Sequence, residues 1–193
     1  MIFAFSTSSR LASVAVFRPS GETLWSGELD APQSAGSACF QLLETALSET
    51  GASVQEGTLF VADVGPGSFT GVRVGIVLAK TLGFLYGTPC AGIDAFDLID
   101  SAKTVCLPLK RGEFFVRHPG EAAHTATEPP PDAVGYGPGV ELQTYPLAVR
   151  GGPLLARLIA VSAQELVPRY LVEPSISLPK RPFSPHSPSG ALA

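Results

Sequence analysis

Apolar residues near the start of the chain occur in three short runs. The runs cover residues 1–5, 11–17 and 23–29, and the segments between them, 6–10 and 18–21, are rich in serine, arginine and glycine. Short apolar runs separated by turn-forming residues are typical of strands that follow one another in a meander. The sequence therefore predicts three consecutive strands.

The next apolar pattern has the period of a helix. Within residues 37–50, Phe40, Leu43 and Leu47 recur at helical spacing opposite polar positions. Gly51 follows the pattern directly, and glycine is a common residue just past the end of a helix. We therefore expect an amphipathic helix with its apolar side against a core or a partner.

A glycine-rich turn joins a buried strand to a long helix in the middle of the chain. Residues 59–64 form a short apolar run with β-branched members, which indicates a strand buried on both faces. Gly65 and Gly67 allow the backbone to turn sharply after this run. The following helix is predicted over about residues 70–86, with Gly87 as its stop.

The start of this helix is a weak candidate for an anion or nucleotide cradle. Backbone N–H groups at a helix N-terminus attract anions, and Ser68 or Thr70 can cap the helix beside Gly65 and Gly67. The segment lacks the lysine of a Walker A loop, and its glycines are spaced one residue too far apart for a dinucleotide fingerprint. An ordinary capped turn is the alternative interpretation.

Small residues recur every four positions along the predicted helix. They are Gly71, Gly75, Ala79, Gly83 and Gly87. Such a ridge lets another backbone approach closely, although each interior glycine costs about 1 kcal/mol relative to alanine. Two interpretations remain open: close packing on this chain's own sheet or first helix, and a docking surface for another chain.

The N-terminal elements together predict an α/β fold. A further strand is expected at 90–93 and a helix at 94–101, with Asp94 as its cap. Three hairpin-linked strands followed by strands alternating with helices predict a mixed sheet with flanking helices. This order resembles the ribonuclease H-like and actin-like (ASKHA) proteins, in which a turn after the first strand faces bound phosphate.

The second half of the chain is harder to interpret. Residues 104–109 and 113–117 resemble a hairpin, 118–131 a surface loop, 132–137 a short strand and 153–162 a helix.

We accordingly divide the chain into three regions. They are an ASKHA-like N-terminal lobe at 1–101, a shortened second lobe of the same type at 102–172 and a disordered tail at 173–193, which is rich in proline and serine.

Composition narrows the classes of function. The 193 residues carry a net charge of −4, and 16% of them are charged, which is well below the usual ~25%. A surface with so little charge is typical of a protein that a partner partly covers. No cluster of lysine and arginine is larger than a pair, which argues against unaided binding to nucleic acid.

The sequence predicts neither a metal site nor a membrane segment. Cys39, Cys90 and Cys106 are too scattered for a zinc site, and the three histidines show no metal-binding spacing. No leader pattern and no apolar run of about 18 residues occurs. We expect a cytoplasmic protein that binds no metal by itself.

The motif around the glycine-rich turn is similar to that of a known family. Residues 65–75 read Gly-Pro-Gly-Ser-Phe-Thr-Gly-Val-Arg-Val-Gly and resemble the hallmark of the TsaB (YeaZ) family, which has a Gcp-like domain; the likeness extends over residues 1 to about 100. The resemblance implies a non-catalytic dimerisation subunit of the bacterial machinery for threonylcarbamoyladenosine (t6A). In that machinery a TsaD-like transferase modifies adenosine 37 of tRNA.

The resemblance also implies partners and a surface that binds them. The chain would pair with the TsaD-like transferase through its first two helices, with a TsaE-like ATPase and tRNA joining the assembled complex. A homodimer is the alternative pairing. No cofactor is expected on this chain alone, and a nucleotide at the subunit boundary is left open. The expected contact residues are Phe40, Leu43, Leu47, Gly71, Gly75, Leu78, Ala79 and Leu82.

Departures from the family pattern argue against nucleotide chemistry on this chain. Family members usually carry aspartate in the turn after the first strand, where this chain has Ser6, and Val172 replaces a family arginine. A hydroxyl cannot supply the charge that holds hydrated Mg²⁺ beside phosphates, so Ser6 is either a weak cradle residue or an ordinary turn residue. The alternative function is an acyl- or phosphoryl-transfer enzyme, kinase-like or glycoprotease-like, with residues 65–70 as its anion cradle.

Overall fold

Five strands from the first half of the chain form a mixed sheet in the computed structural model, which describes residues 1–171. The first strand of the chain lies in the middle of the sheet, antiparallel to the second strand and parallel to the fourth. All five strands predicted in this region are confirmed. In the spatial order β3-β2-β1-β4-β5, they are β1 (Ile2–Ser6), β2 (Leu11–Phe17), β3 (Thr23–Asp30), β4 (Leu59–Asp63) and β5 (Cys90–Ile93).

Two long helices cover one face of this sheet. They are α1 (Ala35–Thr50) and α2 (Phe69–Tyr86), and their buried side chains form the main core together with apolar residues of β1, β2 and β4. Gly51 and Gly87 follow them with left-handed φ angles of 66° and 64°. Since glycine adopts this conformation without steric cost, both predicted helix ends are confirmed.

The opposite face of the sheet is covered by shorter elements. α3 (Ala95–Ile99) and a 3₁₀ segment (Ala148–Arg157) pack there in a second apolar cluster. The α-helix predicted at 153–162 is wrong, because the 3₁₀ segment ends at Arg157 and Leu158 beyond it is extended. Val161 then pairs with Cys90 in an antiparallel β-bridge, so its backbone groups bond to β5 and not within a helix.

A second five-stranded sheet repeats the topology of the first. The three strands that come first along the chain pair antiparallel, and the last two are added in parallel beside the first of them. The spatial order is therefore β10-β9-β6-β7-β8. A lobe of the same type as the first, in shortened form, is therefore confirmed. The strands are β6 (Val105–Pro108), β7 (Phe114–Arg117), β8 (His124–Ala126), β9 (Val134–Gly135) and β10 (Leu142–Gln143).

The second sheet lacks counterparts of the two long helices. A proline-rich turn at 127–133 occupies the place in the order that α1 has in the first sheet. The surface loop predicted at 118–131 is wrong at β8, whose residues pair with β7. β8 is an edge strand with partly or fully exposed side chains, so backbone pairing holds it without the apolar alternation that sequence analysis relies on.

The small-residue ridge of α2 packs against this chain's own turn between β1 and β2. Thr7 Oγ1 donates to the carbonyl of Gly71 at 2.7 Å and accepts from the N–H of Gly75 at 3.0 Å. A Cβ on Gly71 would overlap the carbonyl oxygen of Thr7, and Ala79 is fully buried. Of the two interpretations of the ridge, the structure shows close packing within the chain.

α2 is long and apolar enough, by length and composition alone, to span a bilayer. Its buried residues include Val72, Ile76 and Ala79, which pack in the main core on the first sheet.

The fit of the turn between β1 and β2 against α2 predicts the effect of adding a methyl group. We expect Gly71→Ala to lower the free energy of unfolding by about 3 kcal/mol, because the backbone of Thr7 cannot move aside cheaply. Gly36→Ala in α1 is the matched control, since its Cβ would meet only Val74 Cγ1 at 4.0 Å. The control should gain up to about 1 kcal/mol of helix stability. Urea unfolding of both variants tests this, and equal effects would contradict it.

Candidate functional site

The carboxyl ends of β1 and β4 form a closed polar cluster. Ser6 and Asp63 are the last residues of these parallel neighbours, so their side chains meet at one edge of the sheet. Ser6 Oγ donates to Asp63 Oδ2 at 2.7 Å, and Ser8 Oγ donates to the same oxygen at 2.5 Å. The backbone N–H of Gly65 donates to Asp63 Oδ1 at 2.8 Å. The carboxylate thus ties the first strand to the glycine-rich turn.

Burial dominates the electrostatics of this cluster. It raises the pKa of Asp63 from 3.8 to about 6, although the hydrogen bonds from Ser8, Ser6 and Gly65 act in the opposite direction. The nearby Asp94 carboxylate raises the pKa further. Asp63 therefore carries a negative charge at neutral pH at a cost to the folded state.

The cradle candidates lie on this cluster, with several of their donors already used within the chain. The N–H of Ser68 donates to the carbonyl of Ser8 at 2.7 Å, and Ser68 Oγ accepts from Gly71 N at 3.2 Å. Ser68 is thus the helix cap, while Thr70 is exposed within the first turn. Gly67 lies so close to Ser8 that a Cβ would overlap its carbonyl. An anion there would also face the Asp63 charge, and the cradle role stays a prediction.

Asp94 is the N-cap residue of α3 as predicted, but its side chain pairs with a residue near the end of the described chain. Asp94 Oδ2 accepts from Arg169 Nη1 at 2.5 Å, and no hydrogen bond from the side chain to the helix forms. The N–H of Arg169 donates to the carbonyl of Val64 at 2.8 Å. These two bonds fix the segment around Arg169 beside the glycine-rich turn.

An apolar groove lies between the outer sides of α1 and α2. We refer to it as the α1–α2 groove; its volume is about 530 Å³. Phe40 on one wall is 57% exposed, and Val77 on the other is 60% exposed. Beyond the groove, Phe84 and Leu85 continue the exposed apolar side of α2. The groove is lined by Gly36, Cys39, Phe40, Phe69, Thr70, Arg73, Val74, Val77, Leu78, Thr81 and Leu82.

The predicted partner-contact residues divide between this groove and the core. Phe40, Leu78 and Leu82 line the groove, although Leu78 is buried. Leu43 is buried in the main core, and Leu47 is partly buried against it. Gly71, Gly75 and Ala79 face the sheet and the turn between β1 and β2, so no partner can reach them in this structure. The exposed apolar groove therefore lies on a different face of α2 from the small-residue ridge.

Sequence reasoning missed the residues that give this surface its character. Phe69, Val77 and Leu85 are exposed apolar residues on α2, and Tyr170 stacks on Phe69 with 5.5 Å between ring centroids. Phe69, Val77 and Leu85 are eight positions apart, a spacing that places them on one side of a helix and that can be read from the sequence. The contact from Tyr170 cannot, because it joins residues about a hundred positions apart.

Comparison with known proteins places this architecture in a class. The family model of TsaD, tRNA N6-adenosine threonylcarbamoyltransferase, matches residues 36–104. This segment runs from α1 to the residue before β6. None of the curated proteins compared with the chain matches it. The chain is thus an α/β protein with two mixed sheets, and its residues 36–104 are similar to a segment of TsaD.

Two solved structures from Pseudomonas aeruginosa have the same fold along almost their whole length. One, described as an uncharacterized protein with similarity to peptidase YeaZ, is 19% identical, with a TM-score of 0.75 over 89% of this chain and 99% of that one. The other, YeaZ, is 20% identical, with a TM-score of 0.74 over 88% and 99%. The YeaZ-like fold implied by the motif at 65–75 is confirmed.

The raised pKa of Asp63 predicts a pH-dependent stability. The folded chain binds this proton more tightly than the unfolded chain, so the stabilisation is complete below pH 3.8 and is lost as the pH rises through about 6. Asp63→Asn removes the charge. The Asn amide can donate to the hydroxyls of Ser6 and Ser8, and the Ser6 hydroxyl can donate to the carbonyl of Pro146, which lies 3.1 Å away. Relative to wild type, the variant should gain up to about 3 kcal/mol between pH 4 and about 7.

Urea unfolding of both proteins across this pH range measures the gain. Asp30→Asn is the control, because hydrogen bonding to Arg10 lowers the pKa of that exposed carboxyl and its removal should give no such gain. A stability difference between Asp63→Asn and wild type that stays constant with pH would contradict the assignment.

Proposed function

We propose that this chain is a non-catalytic partner subunit that binds and activates a TsaD-like transferase in the threonylcarbamoylation of tRNA adenosine 37. The observation that carries the proposal is the α1–α2 groove on a chain with a YeaZ-like fold. Phe40, Phe69 and Val77 of its lining remain exposed to solvent, although the opposite faces of the same helices are buried on the sheet. Exposed contiguous apolar surface of this kind typically marks a protein–protein interface.

The chemistry of the polar cluster supports an accessory role over the enzyme alternative. Ser6 and Ser8 both donate to the Asp63 carboxylate, so their hydroxyls are engaged within the buried network. No histidine or lysine among residues 1–171 hydrogen-bonds to either serine to act as a general base. The threonylcarbamoyl transfer then belongs to the partner.

The proposal includes the rest of the assembly. The TsaD-like transferase occupies the groove, a TsaE-like ATPase joins the complex, and tRNA is bound by the complex as a whole. Any nucleotide lies at the subunit boundary, and the complex works in the cytoplasm. In the absence of the transferase, the same apolar face would hold a second copy of this chain.

A charge in the groove tests the proposal. Gly75→Glu would be a poor choice, because even a Cβ there would lie 2.9 Å from Thr7 Oγ1 in the core. Val77→Asp places the charge on an exposed position instead, and we expect at least about a hundred-fold weaker binding to the TsaD-like protein of the same source, since the contact would bury an unpaired carboxylate. Co-purification and calorimetry measure the loss.

Leu142→Asp is the matched control, because Leu142 is also 60% exposed and lies on the second sheet, outside the groove. It should bind as wild type does, and reconstituted tRNA modification should follow the same order. Wild-type affinity of the Val77→Asp variant would overturn the proposed surface. A wild-type chain that neither binds the TsaD-like protein nor raises its activity would overturn the function.

A further inference from the structure

Arg73 differs from most of the other arginines of the described chain in what its side chain contacts. Arg10, Arg18, Arg117 and Arg169 each pair with a carboxylate. Arg150 donates from Nη1 to three backbone carbonyls.

For Arg73 the structure gives one hydrogen bond, from Nε to the Tyr170 hydroxyl at 3.1 Å. Its terminal nitrogens have no acceptor within residues 1–171. Four N–H donors are therefore available to a group from outside the described chain.

This guanidinium is held in a defined place at the groove. Its Cζ lies 3.8 Å from the centroid of the Phe69 ring, a cation–π contact. Tyr170 stacks on the same phenylalanine and accepts the Nε hydrogen bond. Arg73 is also the only charged residue among the described residues that line the groove. The surface thus consists of an apolar trough with one pre-positioned cation.

From this we infer that the α1–α2 groove takes an apolar helix of the partner that carries a carboxylate beside its apolar contacts, and that Arg73 receives this carboxylate. The inference rests on the proposed function and adds the chemistry of the partner surface. A planar guanidinium with both terminal nitrogens available matches a carboxylate in a two-pronged arrangement. An apolar helix fits the groove because its walls are themselves two helices with exposed apolar residues.

Tyr170 acts as a positioning residue in this arrangement. Its hydroxyl occupies Nε, which leaves the fork of terminal nitrogens for the partner, and its ring braces Phe69 beneath the guanidinium. A side chain fixed before binding loses less rotamer entropy when the complex forms. The segment that carries Tyr170 is anchored by the two bonds of Arg169, to Asp94 and to Val64.

The test is the affinity of full-length variants for the TsaD-like protein, measured by calorimetry at about 50 mM and about 500 mM salt. Arg73→Gln keeps the shape of the side chain and removes its charge. We expect about ten-fold weaker binding at low salt and a smaller difference at high salt, because salt screens the lost ion pair. Arg157→Gln is the matched control: Arg157 is exposed and lies in the 3₁₀ segment on the other face of the first sheet.

A double-mutant comparison separates positioning from direct contact. Tyr170→Phe loses the acceptor for Nε and keeps the ring, and should weaken binding about two- to five-fold in the wild-type background. In the Arg73→Gln background it should have no further effect. An equal loss in both backgrounds would overturn the positioning role.

Charge exchange identifies the carboxylate. Arg73→Glu should abolish binding, and replacing one acidic residue on an exposed helix of the TsaD-like protein by arginine should restore it. Failure of every such replacement would overturn the inferred carboxylate, as would wild-type affinity of Arg73→Gln. In either case the proposed function stands as long as wild type binds and Val77→Asp does not. If wild type itself fails to bind, the proposed function fails.

Discussion

The turn between β1 and β2 is wedged between the end of β4 and the start of α2, and the first half of the molecule depends on this contact. Three consecutive hydroxyl residues each serve it: Ser6 and Ser8 donate to Asp63, and Thr7 bridges the backbone of Gly71 and Gly75. Only glycine permits α2 to come this close. A strand, a turn and a helix that are far apart in the chain are thereby fixed as one unit.

This contact determines which face of α2 is left exposed. The buried ridge of Gly71, Gly75, Ala79 and Gly83 and the exposed row of Phe69, Arg73, Val77, Thr81 and Leu85 both repeat every four residues. They are offset by two positions, which is about 200° around an α-helix. When the glycine ridge packs inward on the turn, the second row must therefore face outward. The groove is a consequence of the internal packing.

Much of the first sheet could be predicted from the sequence, because each strand is a short apolar run and each long helix ends at a glycine. The exposed face of α2 could not be predicted, since two four-residue rows compete and small size alone does not tell an inner ridge from an outer one. Asp63 was equally ambiguous. A carboxylate at the end of an apolar run looks like a boundary residue, and its burial follows only from the serines of a turn more than fifty positions earlier.

The second sheet shows why the surface exists only once in the described chain. It has the strand order of the first sheet, yet short connections take the place of the two long helices. The short elements that remain, α3 and the 3₁₀ segment, are packed in apolar clusters. A helix pair with an open apolar side is thus found on the first sheet, and the anchored segment at Arg169 and Tyr170 returns from the second half of the chain to its edge. The reduced second half thereby places one aromatic ring and one hydroxyl at the groove.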